Sequence, residues 1–265
     1  MTQPVEVPHD VVTLPGGGRM PLLGFGTWQL EGRDAVEATS TALEAGYRHL
    51  DTATIYGNEA EVGRALAESG VARDDVFVTT KCPPDRAGQE LGTLRRSLDL
   101  LGMDRVDLWL VHWPARNGAD PALWSAFVEA RGAGLARDIG VSNFGTALLD
   151  EVTGTTGVAP AVNQVRWSPL LFDSTVLAEH RGRGVTLEGY SALRGGTLTH
   201  PTIAEVADRV GRTAAQVIVR WHLQHGVVVI PKSRDPERVR GNADVAGFAL
   251  SAEDMASLDA LGRAP

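Results

Sequence analysis

Eight short apolar segments recur along the chain, and their regular spacing constrains the fold more than any other feature of the sequence. These segments are rich in β-branched residues and cover 24–27, 47–52, 76–80, 106–112, 138–142, 161–165, 185–190 and 227–230. Their starts lie roughly 23 to 32 residues apart until a last interval of about 42. Helix signals fill the intervals, and such βα alternation is typical of a parallel sheet.

Eight strand–helix units that close on themselves predict an α/β fold of the (β/α)8 TIM-barrel type. The usual size of this fold, about 250 residues, leaves little of a 265-residue chain for another domain. We therefore predict a single domain over residues 1–265. An open doubly wound sheet would normally carry G-x-G-x-x-G after its first strand, and the sequence has no such run.

Several local signals add detail to this barrel. Three glycines at 16–18 predict the turn of an N-terminal β-hairpin at the barrel floor, and the long last interval predicts an extra helix at 202–210. Asn58, with Glu61 three residues later, is expected to cap a helix through a capping box. Asp120 and Ser251 are expected to begin two later helices.

Composition excludes several classes of partner. The net charge of −8 opposes binding to phosphate backbones, so we predict no nucleic-acid partner. No apolar run approaches the roughly 18 residues of a membrane span, and the N-terminus lacks signal-peptide features. The single cysteine, Cys82, cannot form an intrachain disulfide, which suits a reducing compartment. We predict a cytoplasmic protein with no membrane partner.

Only two of the 25 basic residues are lysines, Lys81 and Lys232. Arginine is preferred everywhere else, which indicates that an amine is needed at these two positions. Lysine is a compact charge with a tunable pKa, whereas the planar guanidinium of arginine stays protonated. A lysine at the end of a barrel strand is costly to desolvate unless it is paired or used, so Lys81 is a candidate for chemistry.

Side chains capable of chemistry follow the predicted strands at the barrel mouth, where TIM-barrel active sites lie. They are Asp51, Tyr56, Lys81, His112, Ser142, Asn143, Asn163, Gln164, Tyr190, Lys232 and Ser233. Each alone has an ordinary structural explanation, but together they fit proton transfer to a carbonyl oxygen. Tyr56 would be the acid, with its pKa lowered by Lys81, which Asp51 would hold in place. His112 would hydrogen-bond the carbonyl oxygen.

No side chain can supply the hydride that such a reduction needs, so the set implies a nicotinamide cofactor. Four polar residues follow the last predicted strand, where barrels commonly bind phosphate: Lys232, Ser233, Arg234 and Arg238. Cations near a hydroxyl suit a phosphomonoester such as the 2′-phosphate of NADP(H). A solvated basic loop is the alternative explanation.

Two further groups of residues could carry chemistry. His222 and His225 could form half of a metal site, but a third ligand is not apparent, and we predict no metal. Cys82 lies beside Lys81 and could have an activated thiolate, although a small buried thiol without chemistry is favoured.

Seven ordered motifs resemble those of the aldo-keto reductase family. They are YRHLDTA at 47–53, YGNE at 56–59, TTK at 79–81, LVHWP at 110–114, IGVSNF at 139–144, NQV at 163–165 and IPKS at 230–233. The resemblance spans residues 12–262 and includes short bacterial members such as the 2,5-diketo-D-gluconic acid reductases. It implies a monomeric, NADP(H)-dependent alcohol:NADP+ oxidoreductase acting on small carbonyl compounds.

The resemblance also implies roles for individual residues. The catalytic tetrad would consist of Asp51, Tyr56, Lys81 and His112. The residues that would contact the cofactor are Thr27, Trp28, Ser142, Asn143, Gln164, Tyr190, Lys232, Ser233, Arg238 and Asn242. Those that would line the substrate pocket are Trp28, Tyr56, His112 and Trp113. Within the cofactor set, Tyr190 would stack on the nicotinamide ring, and Ser142, Asn143 and Gln164 would hold its carboxamide.

Three single positions and one segment depart from the family's usual pattern. Arg166 stands where an acidic residue is common, Ala192 replaces a proline, and Gly241 replaces a glutamate expected at the adenine. The segment 82–84, Cys-Pro-Pro, replaces one that often carries an aromatic pocket wall. With the short loop at 115–120, these changes predict an open substrate pocket with altered adenine contacts.

Two other functions stay open from the sequence. Lys81 could form a Schiff base with a carbonyl substrate, as in an aldolase. Alternatively, the protein could bind NADP(H) as a sensor without turnover, because one fold can host different functions.

Overall fold

A parallel eight-stranded barrel forms the centre of the computed structural model, which describes residues 7–116, 118 and 120–263. Two short strands precede it, β1 (Val11–Thr13) and β2 (Arg19–Pro21). The barrel strands are β3 (Phe25–Gly26), β4 (His49–Asp51), β5 (Phe77–Cys82), β6 (Val106–Val111), β7 (Ala136–Ser142), β8 (Val162–Arg166), β9 (Thr186–Tyr190) and β10 (Val228–Val229). Each predicted strand overlaps an observed one.

The barrel closes between its first and last strands. Strands β3 to β10 pair in chain order, each parallel to its neighbour. A parallel bridge joins Leu23 to Val229, whose backbone N–H donates to the Leu22 carbonyl at 2.8 Å. The predicted TIM barrel is therefore confirmed.

Ten helices within the described residues cover the outside of the barrel. They are α1 (Gly32–Glu44), α2 (Glu59–Glu68), α3 (Glu90–Leu101), α4 (Pro121–Gly132), α5 (Thr146–Thr156), α6 (Ser174–Gly182), α7 (Pro201–Val210), α8 (Ala214–Gln224), α9 (Pro236–Ala243) and α10 (Ala252–Asp259). Helix α7 is the predicted extra helix. Strands β5 and β6 are buried on both faces, as expected for strands between a barrel interior and a helical layer. Within the part of the chain described, no helix combines the length and apolarity that a membrane crossing requires.

The N-terminal hairpin packs against the amino end of the barrel, as predicted. Val11 pairs with Pro21 across its two antiparallel strands. At the turn, the backbone N–H groups of Gly16 and Gly18 donate to the carboxylate of Asp138 in β7, at 2.6 and 3.1 Å. A charge-assisted contact of this kind fixes the hairpin on the barrel floor. The prediction of one domain over 1–265 stays a prediction, because both ends of that range lie outside the described residues.

The helix-start predictions have mixed outcomes. The Asp120 carboxylate caps α4, and Ser251 forms a capping box with Asp254 at the start of α10, so both predictions are confirmed. The predicted helix start at Asn58 is confirmed, since it stands at the N-cap position of α2, but the capping box is absent because its side chain makes no cap hydrogen bond. Its amide instead donates to the carbonyls of Thr27 and Leu30, each at 2.9 Å. The Asn58 Oδ1, the atom that could cap the helix, accepts from the Thr52 hydroxyl at 2.8 Å instead, so both ends of the side-chain amide are already bonded.

We expect two glycine substitutions to change stability in opposite directions. A Cβ on Gly140 in β7 would lie 2.5 Å from the Val162 carbonyl oxygen, so Gly140→Ala should destabilise the fold by about 1–3 kcal/mol.

Gly92 in α3 has open space around its Cβ position, so Gly92→Ala should stabilise the fold by roughly 0.5–1 kcal/mol. Urea midpoints at unchanged slope measure both effects, and a Gly140→Ala variant as stable as the parent would contradict the packing of β7 on β8.

Candidate active site

One cleft of about 650 Å³ opens at the carboxyl ends of the barrel strands. Its size lies within the range of small-molecule sites. The predicted site residues that line it are Trp28, Asp51, Tyr56, His112, Trp113, Ser142, Asn143, Gln164, Tyr190 and Lys232. The fold thus brings together side chains from seven separate parts of the chain.

An ion pair between Lys81 and Asp51 lies at the bottom of this cleft. The Lys81 Nζ is 2.7 Å from both Asp51 carboxylate oxygens and donates to the Thr52 carbonyl at 2.8 Å. The strand register explains the contact, because Asp51 in β4 pairs with Thr79 in β5 and Lys81 is the next residue on the same face. Burial favours a lower pKa for Lys81, but Asp51, Tyr56 and Glu188 outweigh it and raise the pKa. Lys81 is therefore charged at neutral pH.

Tyr56 lies above this pair, in a single 3-10 turn at Thr54–Tyr56. Its hydroxyl oxygen is 3.5 Å from the Lys81 Nζ, and the Thr54 hydroxyl fixes the turn by donating to the Lys81 carbonyl at 2.7 Å. Burial raises the pKa of Tyr56, and the opposing effect of Lys81 is smaller. The predicted direction for the pKa as a whole is therefore wrong, although Lys81 contributes in the direction expected.

His112 follows β6 and faces Tyr56 across the cleft. The two ring centroids are 5.6 Å apart and the planes meet at 74°. Burial, with a smaller contribution from the charge on Lys81, lowers the pKa of His112 to about 3. The imidazole is therefore neutral at physiological pH, and it lines the same cleft as Tyr56.

A chain of hydrogen bonds joins the ends of β7, β8 and β9. The Tyr190 hydroxyl donates to Asn143 Oδ1 at 2.8 Å, and the Asn143 amide donates to the Ser142 hydroxyl at 2.9 Å. Asn143 has a left-handed backbone, φ 65°, which asparagine tolerates better than most residues. The Gln164 amide donates to Asp51 Oδ2 at 2.8 Å, so it supports the ion pair in this structure.

Four predicted cofactor residues do not line the cleft. Thr27 lies behind it, where its hydroxyl donates to the Asp51 carbonyl at 3.0 Å. The others continue from Lys232 along α9 and are Ser233, Arg238 and Asn242. The Arg238 side chain is 77% exposed, and the Cβ position of Gly241 faces open space where the family's glutamate would lie. Arg238 and the space at Gly241 are therefore open to an anionic group, whereas Asn242 is buried.

Several cleft residues were not predicted from the sequence. Ile55 and Arg194 line the cleft, as does Arg166, which had been noted only as a departure from the family pattern. The Arg194 guanidinium lies 4.6 Å from the centroid of the Trp28 ring and donates to Gln29 Oε1 at 2.9 Å. A basic residue four positions after Tyr190, in the loop that follows β9, was the available signal.

The remaining chemical candidates have structural explanations. Burial raises the pKa of Cys82 to about 12, so its thiol is not activated, and none of residues 82–84 lines the cleft. His225 contacts Asp259 at 2.8 Å, and His222 Nδ1 donates to the Ile218 carbonyl at 2.7 Å. Over residues 7–116, 118 and 120–263, no three metal-ligating side chains form a group able to hold an ion.

Comparison with known proteins gives a consistent result. The model of the Aldo/keto reductase family matches residues 22–263. An aldo-keto reductase of Mycolicibacterium vanbaalenii is 44% identical over 98% of this chain and 94% of that protein. The 2,5-diketo-D-gluconic acid reductase B of Corynebacterium sp. is 44% identical over 91% of this chain and 88% of its own length. The crystal structure of an aldo/keto reductase from Brucella melitensis superposes with a TM-score of 0.91, at 40% identity, over 96% of this chain and 99% of that one.

We expect buried neutral histidines to make the protein lose stability in acid. Burial lowers the pKa of His49 and His112 to about 3 and that of His222 to about 4, against roughly 6.5 when unfolded. The unfolded chain therefore binds more protons below about pH 6.5. The free energy of unfolding should be fully present above that pH and fall by up to about 1.4 kcal/mol per pH unit for each histidine.

Urea unfolding between about pH 7 and pH 5 measures this slope. His112→Gln should reduce it by about one proton, because glutamine does not titrate. Above about pH 7 the parent and the variant should show the same pH dependence. An unchanged acid slope in the variant would contradict a neutral His112.

Proposed function

Because the chain belongs to the aldo/keto reductase family, we propose that it reduces aldehydes or ketones to alcohols with NADPH, using Tyr56 as the general acid. The observation that carries this proposal is the position of Lys81. Its ammonium lies 2.7 Å from Asp51 and 3.5 Å from the Tyr56 hydroxyl, at the base of a cleft that also contains His112. Such an arrangement suits proton donation to a carbonyl oxygen.

The cleft residues fit a dinucleotide with a phosphomonoester. The cleft extends from Tyr56 past Tyr190 to Lys232, and exposed Arg238 lies beyond it on α9. Tyr190 would lie against the nicotinamide ring, Ser142 and Asn143 would hold its carboxamide, and Lys232 with Arg238 would hold the 2′-phosphate. When bound, this cofactor supplies the hydride that reduces the carbonyl carbon.

Side chains of the protein would donate the proton and stabilise the charge that its transfer leaves behind. The Tyr56 hydroxyl is protonated at neutral pH, as any phenol with a pKa of about 10 or above is, so it holds the proton to be donated. The tyrosinate left behind would lie beside the Lys81 ammonium, whose charge stabilises it in a site of low dielectric. The neutral His112 ring would donate an N–H hydrogen bond to the same carbonyl oxygen and orient it.

The enclosure of Lys81 argues against a Schiff-base aldolase. A Schiff base requires a neutral, accessible amine, whereas Lys81 is fully buried and donates to three acceptors on Asp51 and Thr52. Its raised pKa also favours the unreactive ammonium. Borohydride trapping of a carbonyl substrate on Lys81 would reverse this conclusion.

The rim of the cleft favours substrates with an apolar body. Trp28, Trp113 and Ile55 are 43%, 47% and 57% exposed, which is unusual for large apolar side chains. Their exposed faces offer contact area for an aromatic or aliphatic aldehyde. Because one relative is named a 2,5-diketo-D-gluconic acid reductase, the substrate panel should also contain keto acids. A cytoplasmic location and a monomeric state stay predictions.

We expect Tyr56→Phe to lose turnover without losing cofactor binding. Removing the proton donor should lower kcat by roughly 10²–10⁴-fold. The Kd for NADPH, measured by quenching of tryptophan fluorescence, should change little. Tyr47→Phe is a matched control, because the Tyr47 hydroxyl donates to the Val239 carbonyl and lies outside the cleft. Equal turnover of Tyr56→Phe and the parent would overturn the role of Tyr56. If the parent itself bound NADPH tightly but turned over no substrate, the result would favour a sensor.

We expect Arg238→Ala to weaken NADPH binding selectively. Loss of one charge-assisted contact worth about 1.5–3 kcal/mol should raise the Kd for NADPH roughly 10- to 100-fold. The Kd for NADH, which lacks the 2′-phosphate, should change less than about twofold. Arg240→Ala on the same helix is the control, because Arg240 contacts Glu44 at 3.7 Å. An equal effect on both cofactors would reject the assignment of Arg238.

A further inference from the structure

A second carboxylate lies inside the barrel beneath the site, and the proposed mechanism does not use it. Glu188 in β9 is fully buried, and its backbone pairs with Gln164 in β8 and Val228 in β10. Because residues in register on parallel strands share a face, Glu188 points into the barrel as Gln164 does. Neither of its carboxylate oxygens has a hydrogen bond of good geometry among the described residues, and the Gln164 amide, which already donates to Asp51, lowers the pKa of Glu188 only in part.

Few groups near Glu188 could balance a negative charge. On β4 it faces His49, whose Nε2 is 3.8 Å from the Glu188 Oε1, and Asp51. The charge on Lys81 lowers the pKa of Glu188 and a charge on Glu188 raises the pKa of Tyr56, whereas β10 offers only apolar Val228 and Val229. Burial keeps His49 neutral by lowering its pKa to about 3. Lys81 is therefore the one cation in this group, and Asp51 already pairs with it at 2.7 Å.

Electrostatics make an ionised Glu188 costly in this place. Two carboxylates with one ammonium would leave a net negative charge without solvent, which is strongly disfavoured. Proximity of Asp51 adds like-charge repulsion. A protonated Glu188 instead leaves Asp51 as the single counter-ion of Lys81, so the ammonium keeps its effect on the Tyr56 hydroxyl 3.5 Å away.

We propose that Glu188 is a positioning residue that must be protonated for Lys81 to support Tyr56, so that ionisation of Glu188 switches the enzyme off in mild alkali. This inference rests on the proposed function for its effect on turnover. The geometry supports it, because Glu188 is fully buried and its Oε1 lies 3.8 Å from the Nε2 of the neutral His49. Consistent with this placement, burial, then Asp51, raises the pKa of Glu188 to about 8, and a charge on Glu188 raises the pKa of Tyr56.

The substitution Glu188→Gln tests the proposal, because the amide has the same shape and cannot ionise. The parent enzyme should lose kcat with an inflection near pH 8, whereas Glu188→Gln should hold its kcat there and lose it only at higher pH. Below about pH 7, the two should agree within about threefold. An alkaline limb unchanged by the substitution, or a large loss of kcat below pH 7, would overturn the proposal.

Glu59→Gln is a matched control. Glu59 is also a buried glutamate with a raised pKa, but its oxygens accept from the hydroxyls of Thr80 at 2.5 Å and Ser97 at 3.1 Å, outside the cleft. This variant should keep the alkaline limb of the parent. A shift of the same size in Glu59→Gln would assign the effect to general destabilisation and overturn the proposal.

Two measurements on the protein without substrate separate this inference from the proposed function. Infrared spectra near pH 6 should contain a carboxylic-acid carbonyl band that Glu188→Gln removes and that disappears near pH 9.5 in the parent. Alkaline absorbance titration should show Tyr56 ionising at lower pH in Glu188→Gln, with Tyr56→Phe identifying its signal. If both spectroscopic results are obtained but the protein has no reductase activity, the proposed function fails and the electrostatic coupling of Glu188 to Tyr56 stands. If the infrared band or the tyrosine shift is absent, that coupling is overturned, whatever the activity.

Discussion

The buried ion pair between Lys81 and Asp51 is the interaction on which the rest of the site depends. Both groups lie out of water, where an unpaired charge is far more costly than a paired one. Polar groups from distant segments surround the pair: Thr27 holds the Asp51 backbone, Thr54 holds that of Lys81, and Gln164 holds the Asp51 carboxylate. The contact of Gln164 joins β8 to β4, which are not neighbours in the sheet, so folding of the barrel also completes the active site.

Burial gives each group around this pair a definite state. It keeps the His112 ring neutral and the Tyr56 hydroxyl protonated, while Asp51 and its neighbours keep Lys81 charged. The single ammonium of Lys81 therefore acts on both Tyr56 and His112, two neutral side chains that line the same cleft. Because these states are set by the barrel interior, substitutions below the cleft can alter the chemistry without touching a ligand.

The sequence predicted the features that depend on local residue patterns, and it did not predict those that depend on contacts made in the folded barrel. The strands, the glycine hairpin and the caps at Asp120 and Ser251 follow from periodicity and turn chemistry within a few residues. The capping box at Asn58 does not form because its Oδ1 accepts from Thr52 while its NH2 group donates to carbonyls about 30 residues away. The pKa of Tyr56 depends on how deeply the whole fold buries its hydroxyl, which no local pattern predicts. Glu188 looks like an ordinary strand residue in the sequence, and only the folded barrel places it near His49.

The scarcity of lysine acquires a practical meaning in the folded protein. Lys81 is sealed beneath the cleft, whereas Lys232 is only partly buried and lines the cleft near Arg194. A reagent selective for lysine amines would therefore find one side chain to modify in the native state. The rate of covalent labelling at Lys232 would therefore report whether a ligand occupies that end of the cleft. No reactive residue need be introduced, and no other lysine would compete for the reagent.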